Sequence, residues 1–325
     1  MSLANKDGLL SPDDLVNAIG SNVLVYGAKG DGVTDDSAAL QAALNRGGRI
    51  AVPGVRTYAI ASTLTLPNDA VLEILPGATV RWTGSAGGSM FTTSSAVPTR
   101  RTGVIVRGKI DPNNCGIVLD LHSPQESNFD ITVLPGTATL IVCKLASDVA
   151  AGTGGVQSSM NAVFNRISIV ADTCGDVLDL TGTDVTKVVT LNELPYIMGH
   201  DVRLKGIRHV QWCDSNDFGF VRLLLNANNA QGVILNDSAT PAANVGVYDN
   251  VYKLLAIDTF AGPTGRKALV LNWSQQTRVA AYFNDPAAEG GAIVNNNSQD
   301  HYIGSNTATG FMEEILYGSS FKAVS

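Results

Sequence analysis

CGDVLDL, residues Cys174–Leu180, is a small residue followed by an apolar run and an acid, and near copies of it recur down the chain. CGIVLDL (115–121), QGVILND (231–237), KALVLNW (267–273) and GGAIVNN (290–296) share the pattern, and VQWCDSN (210–216) is a weaker member. Aligned on the last apolar residue, the copies fall at Leu119, Leu178, Cys213, Leu235, Leu271 and Val294, at intervals of 59, 35, 22, 36 and 23 residues. Two intervals match a unit of 22 or 23 residues, and loops lengthen the others. A second strand-like run accompanies the copies: NFDITV (128–133), NRISIV (165–170), DVRL (201–204), FVRLLL (220–225) and VYKLLAI (251–257). One such unit cannot bury its own apolar side, so the pattern predicts parallel stacking of successive turns around a shared core. A leucine-rich horseshoe has a similar period, but its LxxLxLxxN spacing and helices are missing here.

Upstream, YGAKGDGVTDDSAALQAALNRGGRIAVPG (26–54) reads as a Gly-rich turn, a helix and a strand. Asp31, Asp35 and Asp36 offer acceptors for turn and helix-entry amides, and Thr34 or Asp35 can cap a helix from Thr34 to Asn45. Leu40, Ala43 and Leu44 make one apolar stripe on it. Gly47 and Gly48 stop that helix, and short strands follow in TYAIASTLTL, AVLEIL and ATVRW. Residues 84–103 read as a loop, and 134–160 as an excursion around one strand, 139–145.

GAKGDGVTDD, the Ala-rich helix, the strand ending in Pro53-Gly54 and the following strand with Tyr58 resemble the entry module of pectate-lyase-like right-handed β-helix proteins, above all those of bacteriophage tailspikes and appendages. The likeness in wording covers about the first 80 residues and is architectural beyond Gly84. It implies an all-β chain, a single-stranded right-handed parallel β-helix over 23–310, with the helix closing its N-terminal end, a lead-in over 1–22 and a tail over 311–325. It also implies a homotrimer on the virion surface, made in the host cytoplasm and released by lysis. The partners implied are host-surface polysaccharide, bound and as a second expectation cleaved, and other virion tail or head proteins. A structural spike without a sugar site and a free bacterial polysaccharide lyase or hydrolase are the alternatives.

Composition narrows the classes. Charged residues make up 16% of the 325, and the formal charge of −7 with scattered Lys and Arg speaks against a nucleic-acid partner. No apolar run reaches membrane-spanning length, and residues 1–21 lack the apolar core of a secretory signal. Cys115, Cys143, Cys174 and Cys213 are far apart, without zinc-ligand spacing, and read as buried thiols. GAKGDG lacks the ending of a P-loop and the third glycine of a dinucleotide fingerprint, and the aspartates after it lack the ligand alternation of a calcium loop. No cofactor and no metal are therefore expected.

The resemblance brings a catalytic set to compare. Polygalacturonase-like relatives carry Asn-Thr-Asp, Asp-Asp, Gly-His-Gly and Arg-Ile-Lys, whereas the matching places here read Asn113-Asn114-Cys115, Cys174-Gly175-Asp176 and Gly199-His200-Asp201, with no Arg-Ile-Lys. The acids left before apolar strands are Asp172, Asp176, Asp214, Asp217 and Glu289, of which Asp214, Asp217, Asp176 and Glu289 are the catalytic candidates. Trp212 with Asp214, and Trp273, are the carbohydrate-binding candidates, since an aromatic face packs on a pyranose while carboxylates take its hydroxyls. Each has a plainer reading: the tryptophans as core, the acids as loop solvation. Asp120, Asp179, Asn236, Asn272 and Asn295 share the repeat's last position, with Asp214 as a possible sixth, and read as a ladder of turn residues. His200 and His209 read as structural.

Overall fold

Ile50 lies in register with Leu72, Leu72 with Val104, Val104 with Phe129 and Phe129 with Ile167, every one fully buried and every pairing parallel. The column continues through Leu194, Phe218 and Tyr252 to Val279. This stacking of like on like is the physical content of a solenoid, and it gives a right-handed parallel β-helix. The structure is a computed structural model that describes residues 21–149, 162–183, 187–237, 247–259, 265–272, 274, 277–284, 293–296, 301–305, 315–316 and 321–323, with backbone alone at 259 and from 280 on.

Three faces wrap the core. The first sheet runs from Ser21–Asn22 through Gly48–Val52, Ala70–Ile74, Gly103–Val106 and Asn128–Val133, and on to Phe321–Ala323. The second stacks Asp31–Asp35, Thr57–Ile60, Thr79–Trp82 and Lys109–Asp111, then merges with the first where Ile110 meets Val133. The third stacks Leu64–Thr65, Ser89–Thr92, Ile117–His122 and Ile141–Ser147, and continues through the second halves of two long strands, Arg166–Gly182 and Glu193–Gln211. It goes on through Gln231–Leu235, Lys267–Asn272 and Ile293–Asn296 to Ile315–Leu316. Between third and first sheets, a corner ladder stacks Ala162–Val163, Val189–Thr190, Cys213–Asp214 and Val247–Tyr248. Within 311–325, the segment read as a tail, both described pieces pair in parallel with earlier coils.

The helix is Ser37–Asn45, three residues shorter at its start than expected, because Asp31–Asp35 is a strand and Asp36 occupies the N-cap. Asp35 still serves helix entry, accepting from the Ser37 amide at 3.0 Å. Leu40, Ala43 and Leu44 are buried, as the stripe requires. The polar side of the helix closes the edge: Gln41 donates to the Thr65 carbonyl at 2.9 Å and accepts from its amide at 2.8 Å, while Ser37 Oγ accepts from the Ala61 amide. These side chains stand where a preceding strand would, so the first coil offers no open template. Asp31 takes the Val33 and Thr34 amides, and Asp36 those of Lys29 and Gly30. The acidic motif is consumed by its own turn. Gly30 is left-handed (φ 60°), and a Cβ there would meet Arg56 and Tyr58 at 3.0 Å.

Several expectations are corrected. Ser89–Thr92, inside the supposed loop 84–103, and Ile141–Ser147, inside the supposed excursion, are regular members of the third sheet. The repeat alignment slips by two residues: Leu119 and Leu178 share one column with Cys143 and Ile207, whereas Leu235 and Leu271 belong to the column of Leu121, Leu180 and His209. Val294 stacks on Val270 and Asn295 on Leu271, and Cys213 belongs to the corner ladder. The proposed Asp/Asn ladder is therefore split. Asp120 and Asp179 are mid-strand, Asp214 lies in the corner, and the turn relation survives at Asn236, whose carbonyl accepts from Asn272 at 3.3 Å.

A different ladder forms the spine. Asn165, Asn192, Asn216 and Asn250 are all buried, and each of the last three accepts from the side chain before it: Asn165 donates to Asn192 at 2.9 Å, Asn192 to Asn216 at 2.9 Å and Asn216 to Asn250 at 3.0 Å. Each Nδ2 also reaches a carbonyl across the corner. The residue before each is left-handed, namely Phe164, Leu191, Ser215 and Asp249. These amides satisfy buried backbone groups where every coil bends. The four cysteines are free and buried, as read from the sequence.

Candidate functional site

Alternation in Ile117–His122 turns Leu119 and Leu121 inward and Asp120 and His122 outward. Parallel register then places Asp120, Lys144, Asp179 and Arg208 one above another across four coils of the third sheet. Signs alternate, and neighbours pair: Lys144 Nζ lies 3.4 Å from Asp120, and Arg208 grips both oxygens of Asp179, one at 2.7 Å. Arg208 also lies 3.6 Å from Asp176 and 3.5 Å from Asp237, and Lys205 Nζ meets Asp237 at 2.5 Å. The result is a five-residue ionic cluster on rigid strands, with Lys205, Arg208 and Asp237 partly open to solvent.

Asp176 is the chemically distinctive member. Burial, reinforced by the neighbouring Asp179 charge, pushes its carboxyl up to about 6 against the pull of Arg208 and the Lys205 amide, which donates to it at 2.9 Å. A carboxyl placed so can hold or give a proton near neutrality. Two coils back, His122 sits between two acids, 2.8 Å from Asp148 and 3.7 Å from Asp120, and those partners push it up to about 9. The opposite holds for His209, fully buried beside Phe218 and Tyr252, where burial pulls it down to about 3 and its Nε2 meets the Tyr252 hydroxyl at 2.6 Å. It is a core residue.

The sequence-derived candidates distribute unevenly. Asp176 lies in the ionic cluster. Trp212 is left-handed (φ 49°) and half-buried at the end of the third sheet, its carbonyl accepting from the Val189 amide. Asp214 follows in the corner ladder between Thr190 and Tyr248. Tyr248's phenol is pushed up by burial and by the Asp214 carboxylate. Asp217 is past the turn, on the outer side of the first sheet, ion-paired with Lys253 at 2.6 Å. The buried Asn216 stands between them, so Asp214 and Asp217 occupy different faces of the corner. Trp273 and Glu289 lie outside the described residues. Trp82 is core, 3% exposed, and Asp172 pairs with His200 at the surface, 3.4 Å away. Lys144, Lys205, Arg208 and Asp237 escaped sequence reasoning. Only the true register, two residues off the apparent repeat, brings them together.

No family model matches the sequence, and no curated protein matches it. Solved structures do. The chain is similar to a Yersinia enterocolitica family 28 exopolygalacturonase (11% identity, 93% of this chain and 78% of that one, TM-score 0.49). It is similar to the Streptococcus pneumoniae surface protein and adhesin PfbA (13%, 92% and 95%, TM-score 0.47). A third likeness is to the tailspike protein of E. coli bacteriophage HK620 in complex with a pentasaccharide (11%, 98% and 63%, TM-score 0.44). ORF18 of Geobacillus virus E2 also matches at 15% identity, and the chain spans 64% of its length. At these values the likenesses assign no activity, and the architecture stands on the strand register itself.

Proposed function

We propose that the protein is a virion-surface spike that recognises host-surface polysaccharide through the outer face of its third sheet. The carrying observation is the ionic column from Asp120 to Arg208, continued sideways to Asp176, Lys205 and Asp237. Donors and acceptors held on successive strands about 4.8 Å apart present a linear array, which suits a polymer better than a small metabolite. Trp212 and Asp214 border this face and extend the site, with Trp273 as a further candidate. Three copies in a homotrimer multiply weak sugar contacts through effective concentration, and other tail or head proteins anchor the assembly. Nucleic acid is not a partner on this reading, given the −7 charge.

Cleavage is the second reading, favoured by Asp176 alone. A carboxyl near 6 is suited to protonating a glycosidic oxygen as its bond to the anomeric carbon breaks, with water supplying the hydroxyl that replaces it. Incubating the full chain with a panel of charged and neutral bacterial surface polysaccharides, and reading both retention and new reducing or unsaturated ends, tests both readings. Retention that Arg208→Gln weakens supports the site. Retention without new ends removes the enzyme, and no retention by any polymer leaves a structural spike.

A further inference from the structure

Three consecutive coils of the first sheet carry the same insertion. In the preceding coil the buried residues Ile167 and Ile169 alternate normally. In the next three, the buried positions are three apart instead of two: Leu194 and Ile197, Phe218 and Val221, Tyr252 and Leu255. Register shifts mark where the extra residue enters, between Arg166 and Ser168, and where it leaves, between Tyr252 and Leu255. The insertion is a β-bulge stacked three coils high. Pro195, which cannot donate to a ladder, sits in the first bulge. Gly219 sits above it, where a Cβ would lie 2.5 Å from the Pro195 carbonyl, so only glycine lets the second bulge nest on the first.

The consequence is a change of what faces outward. Tyr196, Phe220 and Leu254, in register with one another, point away from the core. The Tyr196 and Phe220 rings are stacked 5.4 Å apart at 15°, and Tyr196 and Leu254 remain 36% and 44% exposed. Ion pairs rim them: Asp217 with Lys253 at 2.6 Å, Arg222 with Asp258 at 2.9 Å, Arg166 with Glu193 at 4.0 Å. Three cations meet three anions, so the rim offers hydrogen-bonding groups with no net charge.

We propose that this stacked bulge is a second glycan subsite, taking uncharged pyranose rings against the Tyr196–Phe220 face. The inference rests on the polysaccharide reading above and adds a place and a sugar class to it. Bulges re-aim side chains at functional sites, and an aromatic face meets the apolar side of a sugar ring while its hydroxyls reach the rim. A balanced rim selects neutral rings over uronates, whose carboxylates find no unpaired cation in it.

The test is affinity electrophoresis of the full chain in gels containing dextran, galactomannan or polygalacturonate, with sedimentation analysis alongside. Tyr196→Ala and Phe220→Ala are each expected to weaken retention by a neutral polymer about ten-fold. Tyr196→Phe keeps the ring and is expected to keep retention, whereas Tyr196→Leu keeps apolarity and loses it. Neutral-polymer retention that survives both alanine substitutions overturns the subsite while leaving the function intact. Retention of the wild type by no polymer overturns both. A fall in assembly mass on Phe220→Ala identifies the patch as an interface between copies and also overturns the proposal.

Discussion

Two outer faces of one solenoid have been built by opposite means. On the third sheet, regular alternation delivers charges in register, and they are consumed in pairing one another: Asp120 with Lys144, Asp179 with Arg208. On the first sheet an extra residue per coil breaks alternation and delivers rings and an aliphatic side chain to solvent. Beneath both, the interior stacks fully buried apolar residues. The contrast teaches that the inner rows decide the fold while the outer rows are free to specialise, and that a one-residue change in local period is enough to switch a face from ionic to aromatic.

The strongest way to break the contrast is to loosen the spine on which both faces hang. Asn216→Ala removes the acceptor of the Asn192 amide and the donor to the Val189 carbonyl, so it should cost about 3 kcal/mol in denaturant unfolding. A loss under about 1 kcal/mol would show that water replaces the ladder. Next comes Asp176. Its folded value of about 6 lies above the ordinary 3.8, so the folded state binds the proton more tightly, and stability falls as pH rises from about 4 through 6. Asp176→Asn keeps an acceptor for the Lys205 amide and should stabilise the protein at pH 7 by about 1–2 kcal/mol while flattening that dependence. Destabilisation instead would mean that the charge is needed by Arg208.

His122 has the same direction with the opposite charge. Raised from 6.5 to about 9 by its two carboxylates, it stabilises the fold fully below about 6.5 and loses that contribution as pH climbs through 9. Stability should therefore drop by about 1 kcal/mol over that window, solvent screening allowed for, and His122→Gln should abolish the drop. An unchanged slope in the variant would assign the dependence to other groups. Last comes Phe220→Ala, which should cost about 1 kcal/mol, because the half-buried ring lies outside the core and loses chiefly its stacking on Tyr196. A loss of several kcal/mol would place that ring in the core and dissolve the difference between the faces.

The two faces were not equally legible. Period-2 runs such as NFDITV, and the GAKGDG module, carried the architecture, because inward apolar columns and turn glycines leave local marks. Register between coils left weaker marks. The copies of CGDVLDL align in sequence on their last apolar residue, yet the fold stacks Leu178 with Ile207 and Val233, and a two-residue slip moves Leu235 out of Leu178's column. The asparagine spine was visible in NRISIV, NELPYI, NDFGFV and NVYKLL, each with Asn one place before the first outward residue of the sheet. Its signal lies in the strand openings of the first sheet, whereas the conspicuous repeat lies in the strands of the third. Arg208 and Asp179 could not be joined, since 29 residues separate them and only the coil length brings them together.

The most direct test is retention of the intact protein by host-surface polysaccharide, measured for the wild type, Arg208→Gln and Tyr196→Ala side by side. Retention of the wild type, weakened by Arg208→Gln and weakened separately by Tyr196→Ala for neutral polymers, is the expected result. Retention indifferent to both substitutions, or none at all over a broad panel, contradicts the assignment of glycan recognition to these two faces.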